Sequence, residues 1–240
     1  MRATGSMVLG TALGTALFLG SCFAAAAQTA EPSAAVPLSS EVTFQFDRTG
    51  LPVPRFTLRI HENGTGTYQA DQAETPATQT SMRGQAAQHV ERPINLTPGI
   101  VAKVFQAARS LNHFNVECAS KAKNIANTGT KTLTYAGSDG SGSCVYNYSE
   151  NKTVGTLTDI FLGVASTLDE GRKLEFLHRY DRLGLDAEMN AFADEVKEGR
   201  ALELGTISPT LAAIADDTAV IQRVRLRAAK MLEQAAEDNH

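Results

Sequence analysis

The chain has 240 residues, with 22 Lys and Arg against 26 Asp and Glu, for a formal net charge of −4. So mild an acidity leaves no electrostatic footprint for nucleic acid, and the absence of Trp with only 6% aromatic residues removes the stacking platforms that bases or sugars use. No segment after residue 27 reaches eighteen apolar residues without a charge, so no transmembrane segment is expected.

The first residues have the three parts of a secretory signal: Arg2, an apolar run from Met7 to Gly20, and a small-residue tail. Two processing routes overlap there. Leu19-Gly20-Ser21-Cys22 reads as a lipobox that would leave a lipid anchor on Cys22, whereas Ala25 and Ala27 stand where a signal peptidase needs small side chains. Phe23 and the alanines after it prolong the apolar run, which favours cleavage after Ala27, with the lipoprotein as the alternative. Residues 1–27 are thus read as a signal peptide of an exported protein, periplasmic or extracellular. On either route two cysteines remain, and in an oxidising compartment a disulfide between Cys118 and Cys144 is expected.

Residues 28–40, rich in Ala, Ser and Pro, read as a flexible leader. Apolar residues then alternate in Val42, Phe44 and Phe46 and again in Phe56, Leu58 and Ile60. Asn63-Gly64 marks a hairpin, so residues 41–70 are read as a three-stranded meander. Residues 71–86 read as polar and mobile. A fourth strand through Val90 to Leu96 belongs at an edge, because Pro93 cannot donate to a ladder. Thr97-Pro98 opens a helix with Ile100, Val101, Val104, Phe105, Ala108 and Leu111 on one face, with Thr97 as its N-cap. A second hairpin is predicted near 131–136 and 143–148, followed by a helix with Leu157, Ile160, Phe161, Val164 and Leu168 on one face. Segments 97–110 and 153–166 share Thr, Gly, Phe and Ser at equal offsets. Domain 41–168 is therefore read as two hairpin-helix units packed through Phe105 and Phe161. From Asp169 to residue 240 only helices are expected, near 169–181, 186–198, 208–216 and 217–236. The predicted class is α+β: an antiparallel sheet with covering helices, then an all-helical C-terminal part.

No complete catalytic signature is present. Ser149-x-x-Lys152 ends a predicted strand where a helix start would be needed, and in Asn127-Thr128-Gly129-Thr130-Lys131-Thr132 the intervening Thr130 breaks phosphate-loop spacing, so Lys131 is read onto the wet face of a strand. Glu175-x-x-His178 places a carboxylate beside an imidazole, with Asp181 one turn on, and is the centre of an alternative reading as a hydrolase or metal-dependent enzyme. His61, His89 and His113 lie on separate elements. No metal and no cofactor is expected. On the final helix Arg223, Arg227 and Lys230 border the apolar arc while Leu226 projects outside it, which makes these four the expected interaction face.

Pro54 to Ala70, "PRFTLRIHENGTGTYQA", with the edge strand and covering helix that follow, resembles domains of unknown function in secreted bacterial proteins over residues 41–111. Residues 211–232 are similar to one helix pair of a HEAT-type repeat, with Val224-Arg225-Leu226-Arg227-Ala228 and Leu232 in its second helix. Neither resemblance supplies catalytic residues. The function expected from all this is a non-catalytic binding or structural module of the periplasm or cell envelope, with a protein or envelope partner.

Overall fold

Alternation along β1 (Glu41–Asp47), β2 (Arg55–His61) and β3 (Thr65–Gln72) sends every second side chain to one face, where Val42, Phe44, Phe46, Phe56, Leu58, Ile60 and Tyr68 are buried. The computed structural model describes residues 39–73 and 86–238. The expected signal peptide, Cys22, most of the leader and residues 74–85 lie outside these. Ser40, the last residue of the expected leader, is already buried, and its carbonyl accepts from the Glu62 N–H at 3.0 Å. The β2–β3 turn uses positive φ at Gly64 alone, while the Asn63 carboxamide oxygen accepts from the Thr65 N–H at 3.0 Å and its hydroxyl at 2.7 Å.

With β4 (Gln88–Asn95), β5 (Thr130–Gly137) and β6 (Gly140–Tyr146), the strands form a six-stranded antiparallel sheet in the order β4-β3-β2-β1-β5-β6. Pro93 does lie on an edge strand. The second hairpin is tighter than expected: Gly137 pairs with Gly140, so only Ser138 and Asp139 make the turn, and β6 ends at Tyr146. One sheet face is wet and carries cross-strand pairs such as Arg59–Glu41 at 3.1 Å and Arg55–Asp47 at 2.8 Å.

The other face is covered by α1 (Pro98–Ser110) and α2 (Lys152–Tyr180), each leaving an edge strand and crossing back over the sheet. Phe105 packs edge-on to Tyr135 at 6.2 Å, and Phe161 stacks on Phe44 at 4.8 Å, so both equivalent phenylalanines enter the same core. Asn151 caps α2 by accepting from the Thr153 N–H at 2.9 Å. Thr97 stands at the N-cap of α1, but its hydroxyl makes no cap bond. It donates instead to Glu203 Oε1 at 2.6 Å, and the Thr97 N–H donates to Oε2 at 2.8 Å.

Two expected helices, 153–168 and 169–181, are one 29-residue helix, so the boundary placed between residues 168 and 169 falls inside α2. Asp169 does not end it: the carboxylate accepts from the Tyr68 hydroxyl at 2.8 Å, beneath the sheet. α3 (Leu185–Lys197) and α4 (Ser208–Asp216) pack on the far side of α2, and α5 (Gln222–Glu237) packs on both of them. α5 begins five residues later than predicted, and Ile221, inside the predicted helix 217–236, is 49% exposed at the cap position.

What admits the C-terminal part is a row of small residues on α2. A Cβ on Gly163 would lie 2.8 Å from Leu202, and one on Gly171 would lie 2.3 Å from Ile207. Between them the Thr167 hydroxyl donates to the Leu202 carbonyl at 2.6 Å. Gly155, on the same helix, has nothing within 4 Å of the added atom. Replacing a helical glycine by alanine ordinarily stabilises by up to about 1 kcal/mol. Gly155→Ala should therefore raise the melting temperature, whereas Gly171→Ala should lower it by the equivalent of about 1–3 kcal/mol as Ile207 is displaced. Equal effects in thermal denaturation would show that segment 201–207 yields freely.

The expected disulfide is present, Cys118 to Cys144, with Cα atoms 5.8 Å apart at a sequence separation of 26. It fastens the irregular segment after α1 to β6. Free-thiol labelling of folded residues 28–240 should find none, and Cys118→Ala/Cys144→Ala should cost about 3–4 kcal/mol in a urea titration by the loop-closure relation.

Candidate functional site

Where the β2–β3 turn meets the first two turns of α1, the surface opens into a groove of about 590 Å³. Leu96, Pro98, Val101 and Phe105 form its apolar floor, Ala102 stands exposed on one wall, and Glu62 and Arg109 close one end. The turn is held against the helix start because the Leu96 N–H donates to the Gly64 carbonyl at 2.9 Å.

The charged end is a fixed network. Arg109 donates through Nε to Asp139 Oδ2 at 2.8 Å and lies 2.8 Å from Glu62 Oε1 through Nη2. The Tyr135 hydroxyl donates to Asp139 Oδ1 at 2.6 Å, and His113 Nε2 is 3.5 Å from Asp139 Oδ2. Hydrogen bonds from Arg109, then from Tyr135, hold the Asp139 carboxyl well below the usual range, and hydrogen bonds to Asp139, then to Glu62, raise the guanidinium of Arg109 further. Asp139 is therefore a permanent carboxylate with its lone pairs engaged, suited to holding Arg109 in place and ill suited to passing protons.

Sequence reading left His113 isolated; the backbone brings it in. Asn112, His113 and Phe114 adopt three successive positive φ angles of 49°, 56° and 65°, a left-handed turn that costs non-glycine residues roughly 1–2 kcal/mol each. Burial of Phe114 and packing of the His113 ring on Tyr135 at 4.7 Å offset that cost. The turn fits because β6 opposes it with glycine: a Cβ on Gly142 would lie 2.4 Å from the His113 carbonyl, and one on Gly140 would lie 2.5 Å from the imidazole. The Gly/Ser-rich composition of residues 137–143 was the available signal for such an approach, though not for its partner.

The residues gathered around His178 in the enzyme reading are each engaged separately. Glu175 accepts from Arg92 at 2.8 Å, His178 Nε2 lies 2.9 Å from Asp217 Oδ2, and Asp181 accepts from the Gly184 N–H at 3.2 Å. On α5, Arg223 makes a two-pronged bond to Asp186 at 2.9 and 2.7 Å and Arg227 lies 3.6 Å from the same carboxylate, so these two bind α3 to α5. Leu226 is 62% exposed, opposite the packed side of the helix, and Lys230 is exposed beside it. Among the described residues, no group of three or more His, Cys, Asp or Glu is placed to hold a metal ion.

Lys131 departs from its expected place on a wet face. It pairs with Phe46 and Tyr146 on the core face and is 5% exposed. Its ammonium donates to the carbonyls of Thr128, Gly129 and Asn147 at 3.2, 3.1 and 2.8 Å, and to the Thr128 hydroxyl at 3.1 Å. Burial lowers its pKa. No carboxylate is among these partners, so the charge is balanced by dipoles that also close the 119–129 segment onto the end of β6.

No protein-family model matches the chain, and no curated protein matches it. The resemblances of residues 41–111 and 211–232 therefore rest on those residues alone.

Between α2 and α3, burial and then a hydrogen bond shared with Glu188 push the Glu170 carboxyl up from 4.5 to about 7. In the unfolded chain it titrates near 4.5, so between the two values the folded state holds the extra proton. Its contribution to stability is complete below about 4.5 and is lost as pH rises through about 7. Glu170→Gln keeps the neutral form at every pH. It should match the parent protein near pH 4 and exceed it by about 1–2 kcal/mol at pH 8, allowing for partial solvent screening. Urea titrations across that range check this; a difference independent of pH would contradict it.

Proposed function

We propose that this chain is an exported, non-catalytic binding module of the periplasm or cell envelope, and that its groove between the β2–β3 turn and α1 receives an apolar segment of a protein partner. The observation that carries the reading is the groove itself: an apolar floor of Leu96, Pro98, Val101 and Phe105, open to solvent and closed at one end by an Arg109 that Glu62 and Asp139 already immobilise. Side chains fixed before binding lose little entropy on contact, which is what an anchoring pocket requires. Engagement of Glu175, His178 and Asp181 in three separate structural contacts supports binding over the alternative of an enzyme centred on His178. The disulfide supports an oxidising compartment, and with it export through residues 1–27, released after Ala27 or anchored through Cys22.

The alternative face for the partner is the exposed Leu226 on α5. The mature protein, immobilised and exposed to envelope extract, should capture one stoichiometric partner. Ala102→Arg fills the groove from an exposed position and should abolish capture without lowering the melting temperature, while Leu226→Asp and His178→Ala should retain it. Loss of capture on Leu226→Asp alone would move the contact to α5. A bound small molecule released by His178→Ala would favour the enzyme.

A further inference from the structure

The groove at α1 begins where the chain enters the sheet. Ser40 is 7% exposed, and its carbonyl accepts from the Glu62 N–H at 3.0 Å, one step beyond the Glu41–His61 pair that opens β1. Its hydroxyl lies against the second hairpin, where a Cβ on Gly137 would come within 2.8 Å of it. Glu62 lines the groove and pairs with Arg109, so the backbone before Ser40 leaves the sheet beside the charged end of the groove. Leu38 is two residues from that anchor, a reach of at most about 7 Å.

The sequence before the anchor matches the groove in chemistry and in length. Ala34-Ala35-Val36-Pro37-Leu38 is an unbroken apolar run within residues 28–40, whose only charge is Glu31. At about 3.3 Å per extended residue the run measures about 16 Å, and α1 rises by about the same amount from Pro98 to Arg109 at about 1.5 Å per residue. Pro37 fixes its own φ and disfavours a helical Val36, so the run has less freedom to lose on docking than an ordinary segment. It brings no charge to the Arg109 end, where Glu62 and Asp139 already answer the guanidinium.

We propose that residues 34–38 of the same chain lie along this groove, with Leu38 nearest Arg109 and Ala34 towards Pro98, as a strap that the apolar segment of a partner displaces. The proposal rests on the reading of the groove as the partner's site and adds a control on access to it. A tether of two residues gives the strap an effective concentration on the order of mM, so contacts too weak to hold a free pentapeptide suffice to fill the groove. The partner's apparent affinity is then reduced by the fraction of molecules whose groove is open, about tenfold if that fraction is about one tenth.

Disulfide trapping in residues 28–240 tests the strap with no partner present. Ala102 is an exposed groove residue on α1, so Val36→Cys/Ala102→Cys places one thiol on the strap and one on the wall. Mild oxidation and peptide mapping should find positions 36 and 102 linked within a monomer. That link should form about tenfold faster than the link in Val36→Cys/Leu226→Cys, and Leu38→Asp should slow it about tenfold. An unchanged melting temperature and an intact Cys118–Cys144 link establish that the variants fold. Equal rates at positions 102 and 226 would overturn the proposal, and a link found only between two chains would assign the groove to a second copy instead. Val36→Asp/Leu38→Asp, which adds no thiol, should tighten capture of the partner about tenfold, and unchanged capture would overturn the strap as a competitor. A trap that forms while Ala102→Arg leaves capture intact strikes the partner reading and keeps the intramolecular contact. Capture lost on Ala102→Arg with no trap does the reverse.

Discussion

The two halves of the molecule are joined by a close approach between a helix and a backbone. Gly163, Thr167 and Gly171 stand at four-residue intervals on α2, and segment 201–207 lies against them: the Leu202 N–H donates to the Gly163 carbonyl at 3.2 Å, and the Leu202 carbonyl accepts from the Thr167 hydroxyl at 2.6 Å. With larger side chains there, Leu202 and Ile207 could not reach the helix. The same segment carries Glu203, whose left-handed backbone, φ 61°, aims its carboxylate at the N–H and hydroxyl of Thr97. One approach thus seats the C-terminal helices and fixes the start of α1, which forms a wall of the groove. An order that begins in the α3–α4 connection ends at a surface that sequence alone placed wholly within the N-terminal part.

Much of the sheet was legible because a one-sided sheet imposes alternation on each strand, and Val42-Phe44-Phe46 and Phe56-Leu58-Ile60 display it without interruption. The cysteine pair was legible for a different reason, the parity that leaves Cys118 and Cys144 as an isolated pair. The continuity of α2 was not, since a glycine such as Gly171 weakens a helix locally and only tertiary packing makes it an asset in mid-helix. Lys131 escaped for the same reason: its alternation places it inward, but charge ordinarily decides for water. Its cage of carbonyls comes from residues 128, 129 and 147, which no window on Lys131 includes.

The functional surfaces were less legible than the fold. His113, Asp139, Arg109, Tyr135 and Glu62 come from five elements or turns, and no spacing links them. The candidate face on α5 was readable as amphipathicity, but the purpose of its basic border was not: Asp186, on another helix, takes up Arg223 and lies within reach of Arg227. Helical periodicity shows which side chains leave the core; what they then meet is set by neighbours remote in sequence.

Both edges of the inner face pose one problem and receive opposite solutions. Six strands at about 4.8 Å spacing span about 24 Å, whereas two helices side by side cover about 20 Å. Some of the face must lie beyond them. At the β6 edge the deficit is closed: the left-handed turn at 112–114 presses onto Gly140 and Gly142, Phe114 is buried, and the disulfide fastens the chain that follows. That closure requires a strained backbone and two glycines, features that packing alone does not favour. At the β4 edge nothing comparable is built among the described residues: of its inward positions Ile94 is buried, whereas Val90 and Arg92 stay half-exposed beside α2. The two edges of one sheet face are thus finished by different means: strain, glycine and a disulfide at β6, and half-exposed side chains beside a helix at β4.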